Sequence, residues 1–437
     1  MISGLRSEWT RIGRSIADLG LRVALARPTM ALADQAVVSG TSFVTTVLIG
    51  RFAAMSELGL YSLASSVLIA ILCVQDSLIT QPYTIERHKA VLTTAQHTGA
   101  ALALGFALSA ISALVIAGAA SDTSYFGRTH ELTALIWAIA GTAPFFLLRE
   151  LCRQVEFAHL TPGKALAMDL AAAATQISAL AWLGWNGHMS AVTGLSALGC
   201  GCAAAGVIWF VLFRRDTAFE KSRISLAARR SWKVGKWFLA NQILVVAQAN
   251  ISVWILAVFA GATEIGIYAA CLSVVSLSNP MVLGLSNILL AKSTASFNEG
   301  GHAQLRRDTR NYALLLCAPM ALFAVLISLF GDEIMSLLYP AQHRDNYGLI
   351  LAILATWQLV TAASMPPFYA LSGMEHVRLN FWLGLNVTVV TAVLLVLLVA
   401  KWAALGAACA LLAGGILRCF ARWGAFLVLT APHGNMR

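Results

Sequence analysis

Charged residues are scarce in this chain. Asp, Glu, Lys and Arg make up 11% of its 437 residues, whereas hydrophobic residues make up 59% and the mean hydropathy is +0.75. A soluble domain carries about 25% charged residues. Most of the surface is therefore predicted to contact lipid, which excludes an ordinary soluble protein.

The motifs of nucleotide and metal chemistry are also missing. No G-x-x-x-x-G-K-[ST] segment is present, so ATP hydrolysis by this chain is not expected. The eight cysteines and nine histidines have no metal-ligand spacing, and the cysteines indicate no disulfide framework. The sequence thus predicts neither an enzyme nor a bound cofactor.

Long apolar segments are what the chain does contain. Segments of about 20 residues, long enough to cross a bilayer, recur twelve times. They are centred on 31–51, 58–80, 95–120, 131–150, 165–185, 190–213, 237–260, 264–291, 311–330, 346–371, 378–400 and 403–430. Backbone groups in hydrocarbon must bond internally, so each segment is predicted to be a helix. The expected fold class is an all-α membrane protein with twelve transmembrane helices.

Basic residues orient these helices. In the twelve-span topology, only Arg51, Arg128, Arg344 and Lys401 of the 30 Lys and Arg residues fall on one side. This asymmetry predicts a multi-pass protein with both termini in the cytoplasm. The net charge of +10 then follows from topology, and no nucleic acid partner is expected.

An internal repeat divides the chain. With an offset of 207 residues, 33–67 aligns without a gap on 240–274, and ten of the 35 positions are identical. Identical pairs include Gln35/Gln242, Glu57/Glu264, Gly59/Gly266 and Tyr61/Tyr268. Internal repeats in membrane proteins are typical of secondary transporters, with the substrate path between the repeats.

The repeat and the charges predict the domain organisation. Two six-helix halves are expected at 31–213 and 237–430, joined by a basic cytoplasmic linker at 214–236. Residues 1–30 are predicted to form a cytoplasmic arm or an interfacial helix. Residues 431–437 are predicted to form a cytoplasmic tail.

Polar residues inside the spans give the candidate site. One face of the first span carries Asp34, Thr41 and Thr45, and the repeat-related face of the seventh carries Asn241, Gln248 and Ser252. Gln35 and Gln242 are placed at the cytoplasmic ends of these two stripes. Polar residues are costly in lipid and usually face a cavity or another helix. The stripes are predicted to face each other across a shared cleft; the alternative is hydrogen bonding between helices.

Arginines at the end of the fourth span are further candidates. Arg149 and Arg153 lie one helical turn apart, with Glu150 and Glu156 nearby. Arginine geometry suits a phosphate group, so these residues are candidates for a cationic phosphate site. The alternative is membrane anchoring with local pairing to the glutamates.

Three other charged positions leave a functional role open. Arg418 and Arg422 in the last span have the same one-turn spacing, but anchoring is the favoured interpretation. Asp76 near the cytoplasmic end of the second span fits a functional or a structural role equally. The Glu57 and Glu264 turns are expected to be structural, with glycine allowing helices to pack closely.

The pattern resembles a known superfamily. The turns SELGLY (56–61) and TEIGIY (263–268), the twelve spans and the two halves resemble the transporters that comprise multidrug antiporters, oligosaccharide-lipid flippases and polysaccharide exporters. The chain is most similar to the bacterial polysaccharide-transporter (Wzx-type) flippases. This resemblance implies a V-shaped bundle in the bacterial inner membrane that works by alternating access.

The resemblance also implies substrate and partners. A Wzx-type flippase moves an undecaprenyl-type lipid-linked oligosaccharide for surface polysaccharide, lipopolysaccharide or exopolysaccharide synthesis. Membrane lipids and polysaccharide polymerases are the implied partners. The substrate-binding candidates remain the two stripes, the two glutamines beside them, and the arginine pair of the fourth span.

One departure separates the branches of the superfamily. The multidrug antiporters keep an acidic residue five positions before a Gly-Arg pair in the first helix. Here the pair resembles Gly50-Arg51, and the position five before it is Thr45. This favours a flippase over the alternative, a cation-coupled antiporter in which Asp34 or Asp76 would be essential. Coupling to a proton or sodium gradient, or to the membrane potential, stays open. A non-transporting membrane scaffold is the third interpretation.

Overall fold

The computed structural model describes most of the chain. It covers residues 29–86, 93–125, 130–213, 218, 221–340 and 347–431. Within these ranges the secondary structure is helical and no strand occurs. The predicted arm lies outside the described residues except for its last two positions, and the predicted tail lies outside except for its first.

The helices are named in chain order. The first half contains α1 Thr29–Phe52, α2 Met55–Gln75, α3 Gln81–Glu86, α4 Thr94–Tyr125, α5 His130–Ala158, α6 Pro162–Trp185 and α7 Ala191–Ile208. The second contains α8 Lys221–Phe259, α9 Ala262–Ser276, α10 Asn279–Leu338, α11 Tyr347–Ala363, α12 Met365–Gly373 and α13 Val377–Leu429. Short π-helical segments, Asp76–Thr80 and Trp209–Phe213, join α2 to α3 and extend α7.

Two of these helices are hairpins. In α10 the backbone leaves the helical region at Gly301, where φ is 61°. The Ser296 hydroxyl donates to Asp308 Oδ2 at 2.7 Å although the two residues are 12 positions apart. A straight helix would separate them by about 18 Å, so the chain reverses between them. In α13 the same change occurs at Ala403, where φ is 46°.

The hairpins complete the predicted number of crossings. Ten helices of the described part are long and apolar enough to cross a membrane. The second arm of α13 adds an eleventh crossing, and α9 together with the first arm of α10 adds the twelfth. The prediction of an all-α membrane protein with twelve spanning helices in two six-helix repeats is confirmed.

A reciprocal contact joins the two halves. A Cβ on Gly59 would overlap the carbonyl of Ala262, and a Cβ on Gly266 would overlap the carbonyl of Met55. The offset of 207 relates Gly59 to Gly266 and Met55 to Ala262. Each half therefore makes the same contact with the other, as a pseudo-two-fold axis between α2 and α9 requires. Glycine is needed because the two backbones touch.

The repeated glutamates hold equivalent helix ends. Glu57 Oε2 accepts a hydrogen bond from the backbone N–H of Ala191 at 2.6 Å, where α7 begins. Glu264 Oε2 accepts from the N–H of Ala404 at 3.2 Å, where the second arm of α13 begins. A carboxylate at a helix N-terminus satisfies free N–H groups and the positive end of the helix dipole. The expected structural role of both turns matches this geometry.

These contacts lie at one end of the bundle. We name it the outer end, following the predicted topology, and define it by the turns at 53–54 and 260–261. Tyr339, which is fully buried, packs against Gly50 there, and Arg51 Nη1 donates to the carbonyl of Leu337 at 3.5 Å. An apolar cluster with members from both halves surrounds them. The two halves are thus closed against each other at the outer end.

From Lys221 onward, the predicted linker is helical. Helix α8 begins at Lys221 and continues to Phe259, so residues 221–236 of the predicted linker are helical. This segment holds no proline, and its alanine, lysine and arginine residues favour a helix. A Cβ on Gly235 would lie 2.6 Å from the carbonyl oxygen of Ser77. The start of α8 therefore crosses to the first half, where it packs against the end of the second span.

Candidate functional site

A cavity of about 280 Å³ lies within the first half. Helices α1, α2, α5, α6 and α7 all contribute to its wall. Its polar lining includes Thr41, Tyr61, Arg149, Glu150, Asp169 and Gln176. The lining residues all belong to the first half.

Beside the cavity is a buried charge cluster. Asp34 of α1, Arg149, Glu150 and Arg153 of α5, and Asp169 of α6 form it. The Asp34 and Asp169 side chains are 0% exposed, and the two arginine side chains are 10% and 13% exposed. Charges this deep persist only when they are paired.

Pairing within the cluster is extensive. Arg149 Nη2 lies 2.5 Å from Asp169 Oδ1, and Arg149 Nη1 lies 2.9 Å from Glu150 Oε1. Arg153 Nη2 lies 2.6 Å from Asp34 Oδ2, and Arg153 Nε lies 2.9 Å from Asp169 Oδ2. With three carboxylates and two guanidinium groups, the cluster carries a net charge of −1 when every group is ionised. Its two cations are therefore already neutralised within the protein.

Two carboxylate oxygens in the cluster have unfilled hydrogen-bonding capacity. Asp34 Oδ1 and Asp169 Oδ2 are enclosed and accept no hydrogen bond, because the contact of Asp169 Oδ2 with Arg153 Nε is an ion pair without hydrogen-bond alignment. The two carboxyl groups lie beside each other, because both pair with the guanidinium group of Arg153. One proton held between them would provide the missing hydrogen bond, because a protonated carboxyl group donates and its neighbour accepts.

The first polar stripe faces its own half. Asp34 pairs with α5, and Thr45 Oγ1 accepts a hydrogen bond from Gln176 Nε2 of α6 at 2.8 Å. Thr41 lines the cavity described above. Gln35 donates within α1 to Ser39 at 3.4 Å. Asp34 and Thr45 therefore pair with helices of their own half instead of facing the other half, because helical spacing fixes a common face but not the helix it meets. A substrate-binding role for the stripe stays a prediction.

The second stripe contributes less polar structure. Ser252 is buried. Gln242 and Gln248 are half-buried. Asn241 lies in α8, but its side chain is outside the described part of the structure.

The arginine predictions are met in part. Arg149 and Arg153 both pair with Glu150, as the anchoring alternative predicted. Glu156 does not join them; it accepts hydrogen bonds from the indole of Trp209 at 3.1 Å and the hydroxyl of Thr161 at 2.5 Å. The main partner of Arg149 is Asp169, which lies on the next helix and cannot be identified from local spacing. Phosphate binding by this pair stays a prediction, and in this arrangement it would compete with the carboxylates.

A second arginine pair lies inside the second half. Arg418 and Arg422 lie one turn apart on the second arm of α13 and are both partly buried. Arg422 Nη1 donates to the Ser364 hydroxyl at 3.3 Å, and its guanidinium carbon lies 4.6 Å from the ring centroid of Phe368. In the described part of the chain, neither arginine has a carboxylate partner. In the sequence, this pair is indicated by two arginines in the middle of an apolar segment.

Comparison with known proteins gives a fold but no sequence relative. No family profile matches the chain, and no curated protein sequence matches it. Among solved structures, it is similar to a multidrug resistance MATE family transporter of the MOP superfamily in an inward-facing conformation. The TM-score is 0.70 at 13% identity, over 94% of this chain and 98% of that one.

Two further solved structures have a similar fold. An outward-facing MATE family transporter of the MOP superfamily gives a TM-score of 0.62 at 13% identity, over 94% of this chain and 95% of that one. A MOP superfamily transporter from Pyrococcus furiosus gives 0.63 at 12% identity, over 94% and 96%. The chain thus has the fold of these multi-pass transporters. The TM-score is higher with the inward-facing structure than with the outward-facing one.

Proposed function

We propose that this chain is a secondary transporter that works by alternating access. The observation that carries the proposal is the reciprocal contact between Gly59 and Gly266 at the outer end. Two pseudo-symmetric halves that meet through such a contact can rock about a path between them. The similarity to inward-facing and outward-facing transporters of one fold supports the same mechanism.

The substrate we propose is an undecaprenyl-type lipid-linked oligosaccharide, moved across the bacterial inner membrane. Its sugar head needs a polar path, while its lipid tail can stay in the bilayer. Thr45 supports a flippase over an antiporter, because it forms a neutral hydrogen bond with Gln176 where the antiporters carry a carboxylate. The unpaired arginines of the second half suit an anionic substrate better than a cationic drug.

Proton coupling is proposed at the Asp34 and Asp169 pair. Asp34 Oδ1 and Asp169 Oδ2 are enclosed and accept no hydrogen bond, although Asp169 Oδ2 also has an ion-pair contact with Arg153 Nε. One bound proton would supply a hydrogen bond between the two carboxyl groups. The same observation favours the second candidate function, a proton-coupled multidrug antiporter. In that case the cavity beside the cluster would admit a cation, and Asp34 would be essential for resistance.

A genetic experiment separates these candidates. For the flippase, deletion should abolish surface polysaccharide while lipid-linked repeat units accumulate inside the cell. The antiporter instead predicts unchanged polysaccharide and a sensitivity to cationic dyes that an Asp34→Asn variant fails to complement. If the Asp34→Asn and Asp169→Asn variants, at normal membrane levels, restore every deletion phenotype, proton coupling at this pair is wrong. The amount of each variant in the membrane is the control, since both residues also stabilise the fold.

The orientation is proposed from the positive-inside rule, with both termini cytoplasmic. A variant that lacks the eight native cysteines and carries Ser121→Cys should react with an impermeant maleimide in intact cells. Labelling of this cysteine only after permeabilisation would reverse the orientation.

A further inference from the structure

The Arg418 and Arg422 pair has an unusual environment for buried charge. Arg418 has no hydrogen-bond or ion-pair partner in the described residues. The Nε atoms of both arginines are enclosed and unbonded. Among the described residues, Arg422 forms a hydrogen bond with the Ser364 hydroxyl and lies over the Phe368 ring, and both of these groups are neutral. Arginine does not lose its proton in proteins, so two positive charges remain here without a counter-charge from the described chain.

Membrane anchoring does not explain this placement. The second arm of α13 runs from Ala404 to Leu429. At 1.5 Å per residue, Arg418 lies about 21 Å from the start of this arm and about 16 Å from its end. Anchoring arginines lie at helix ends, where they reach the lipid head groups. Arg422 instead turns toward the junction of α11 and α12, inside the second half.

We infer that Arg418 and Arg422 bind the phosphate groups of an anionic lipid-linked substrate. Guanidinium groups bind phosphate oxygens in a bidentate geometry. Residues four apart on a helix are separated by about 5–6 Å, so each arginine can take one phosphoryl group of a pyrophosphate. The inference rests on the proposed function, and it assigns the phosphate to the second half rather than to Arg149 and Arg153. Those two residues already have three carboxylate partners.

Binding to the purified full-length protein tests the site. The probe is undecaprenyl pyrophosphate in detergent micelles, and its affinity is measured by thermophoresis. Arg418→Gln and Arg422→Gln should each weaken binding roughly tenfold or more, because each removes a charge-assisted contact. Arg418→Lys should recover only part of the loss, because lysine lacks the planar fork. Arg310→Gln, at an exposed arginine of α10, is the matched control and should bind like the unmodified protein.

Two further probes identify the source of the phosphate. Inorganic pyrophosphate should compete with the lipid probe and show the same dependence on both arginines. Phosphatidylglycerol should compete weakly and without that dependence. Equal affinity of all variants for undecaprenyl pyrophosphate would overturn the inference. Tight, arginine-dependent binding of phosphatidylglycerol would overturn it too, because the site would then hold a structural lipid.

Failure of the inference can be told apart from failure of the proposed function. If deletion abolishes surface polysaccharide but the Arg418→Gln/Arg422→Gln double variant restores it, only the phosphate site is wrong. If the double variant loses pyrophosphate binding but deletion leaves polysaccharide unchanged, the site stands and the flippase function is wrong. The thermal unfolding midpoint of each variant without ligand shows whether it is folded. The Arg418→Lys variant, which keeps the charge, still tests the site if the glutamine variants do not fold.

Discussion

The two halves differ in the counter-charges that surround their buried arginines. In the first half, Arg149 and Arg153 lie among three carboxylates, and the cluster has its own counter-charges. In the second half, Arg418 and Arg422 have no carboxylate partner among the described residues. The halves share their helix order and their glutamate caps. The duplicated framework thus repeats the backbone but not the interior charge.

The difference also appears when α7 is aligned with the second arm of α13. Counting from the capped residues Ala191 and Ala404, Arg418 takes the position of Ala205 and Arg422 that of Trp209. Trp209 is fully buried and donates to Glu156. The charges of the second half therefore lie on a helix whose counterpart in the first half is neutral at both positions.

The largest effect should come from opening the charge cluster. Arg153→Met leaves Asp34 without its partner and weakens the neutralisation of Asp169. Removing one side of a buried ion pair costs about 3–5 kcal/mol. We expect a strongly lowered midpoint of thermal unfolding in detergent. An Asp34→Asn/Arg153→Met double variant should lose less than the sum of the two single changes. An unchanged midpoint for Arg153→Met would mean that the cluster does not stabilise the first half.

The next largest effect is expected at the symmetric glycine contact between the two halves. Gly59→Ala or Gly266→Ala places a methyl group on the backbone of the other half. Overpacking of this kind costs about 1–3 kcal/mol, and here separation of the halves relieves it. Spin labels on the outer ends of α2 and α9 should report longer distances in both variants. Gly141→Ala, where nothing lies within 4 Å of the added methyl, should leave the distances unchanged. A response to only one of the two glycine changes would contradict the reciprocal contact.

A smaller effect, equal at both sites, is expected for the two glutamates that cap α7 and the second arm of α13. Glu57→Gln and Glu264→Gln each remove a carboxylate from a helix N-terminus while keeping an oxygen acceptor. Each should lower stability by about 1 kcal/mol or less, measured as a small fall in the unfolding midpoint. Clearly unequal losses would show that the duplicated framework is not equally important in both halves.

The smallest effect is expected when an arginine of the second half is replaced. Arg418→Met removes a charge that has no partner, so without ligand it should be neutral or slightly stabilising. Its unfolding midpoint should therefore stay at or above that of the unmodified protein, in contrast to Arg153→Met. A large fall would indicate a counter-charge from a part of the chain outside the described residues.

Much of the fold follows from the sequence, because apolar length and charge placement are local properties. The twelve crossings were predicted, and so was the structural role of the Glu57 and Glu264 turns. The reversal at Ala403 falls at the predicted boundary between the spans 378–400 and 403–430, although alanine itself favours a helix. The repeat alignment identified the glycine pair but not that each glycine touches the other half.

The site was harder to predict, because side-chain partners lie far apart in the chain. Helical spacing placed Asp34 and Thr45 on one face, but it could not show that the face meets α5 and α6. Asp169 was not predicted to take part, although it contacts both arginines of the cluster. Arg418 was considered an anchor because spacing alone does not reveal that a charge lacks a partner.

The reciprocal glycine contact has a consequence for the origin of the chain. Each half offers a glycine on one helix and a carbonyl four residues before it, and the other half offers the same pair. Two copies of a half-length protein could therefore satisfy each other through this surface, as subunits do in an isologous dimer. Fusion of two such copies would preserve the contact and free the interior of each to change. The paired arginines of one half and the unpaired arginines of the other are then separate outcomes of a single ancestral subunit.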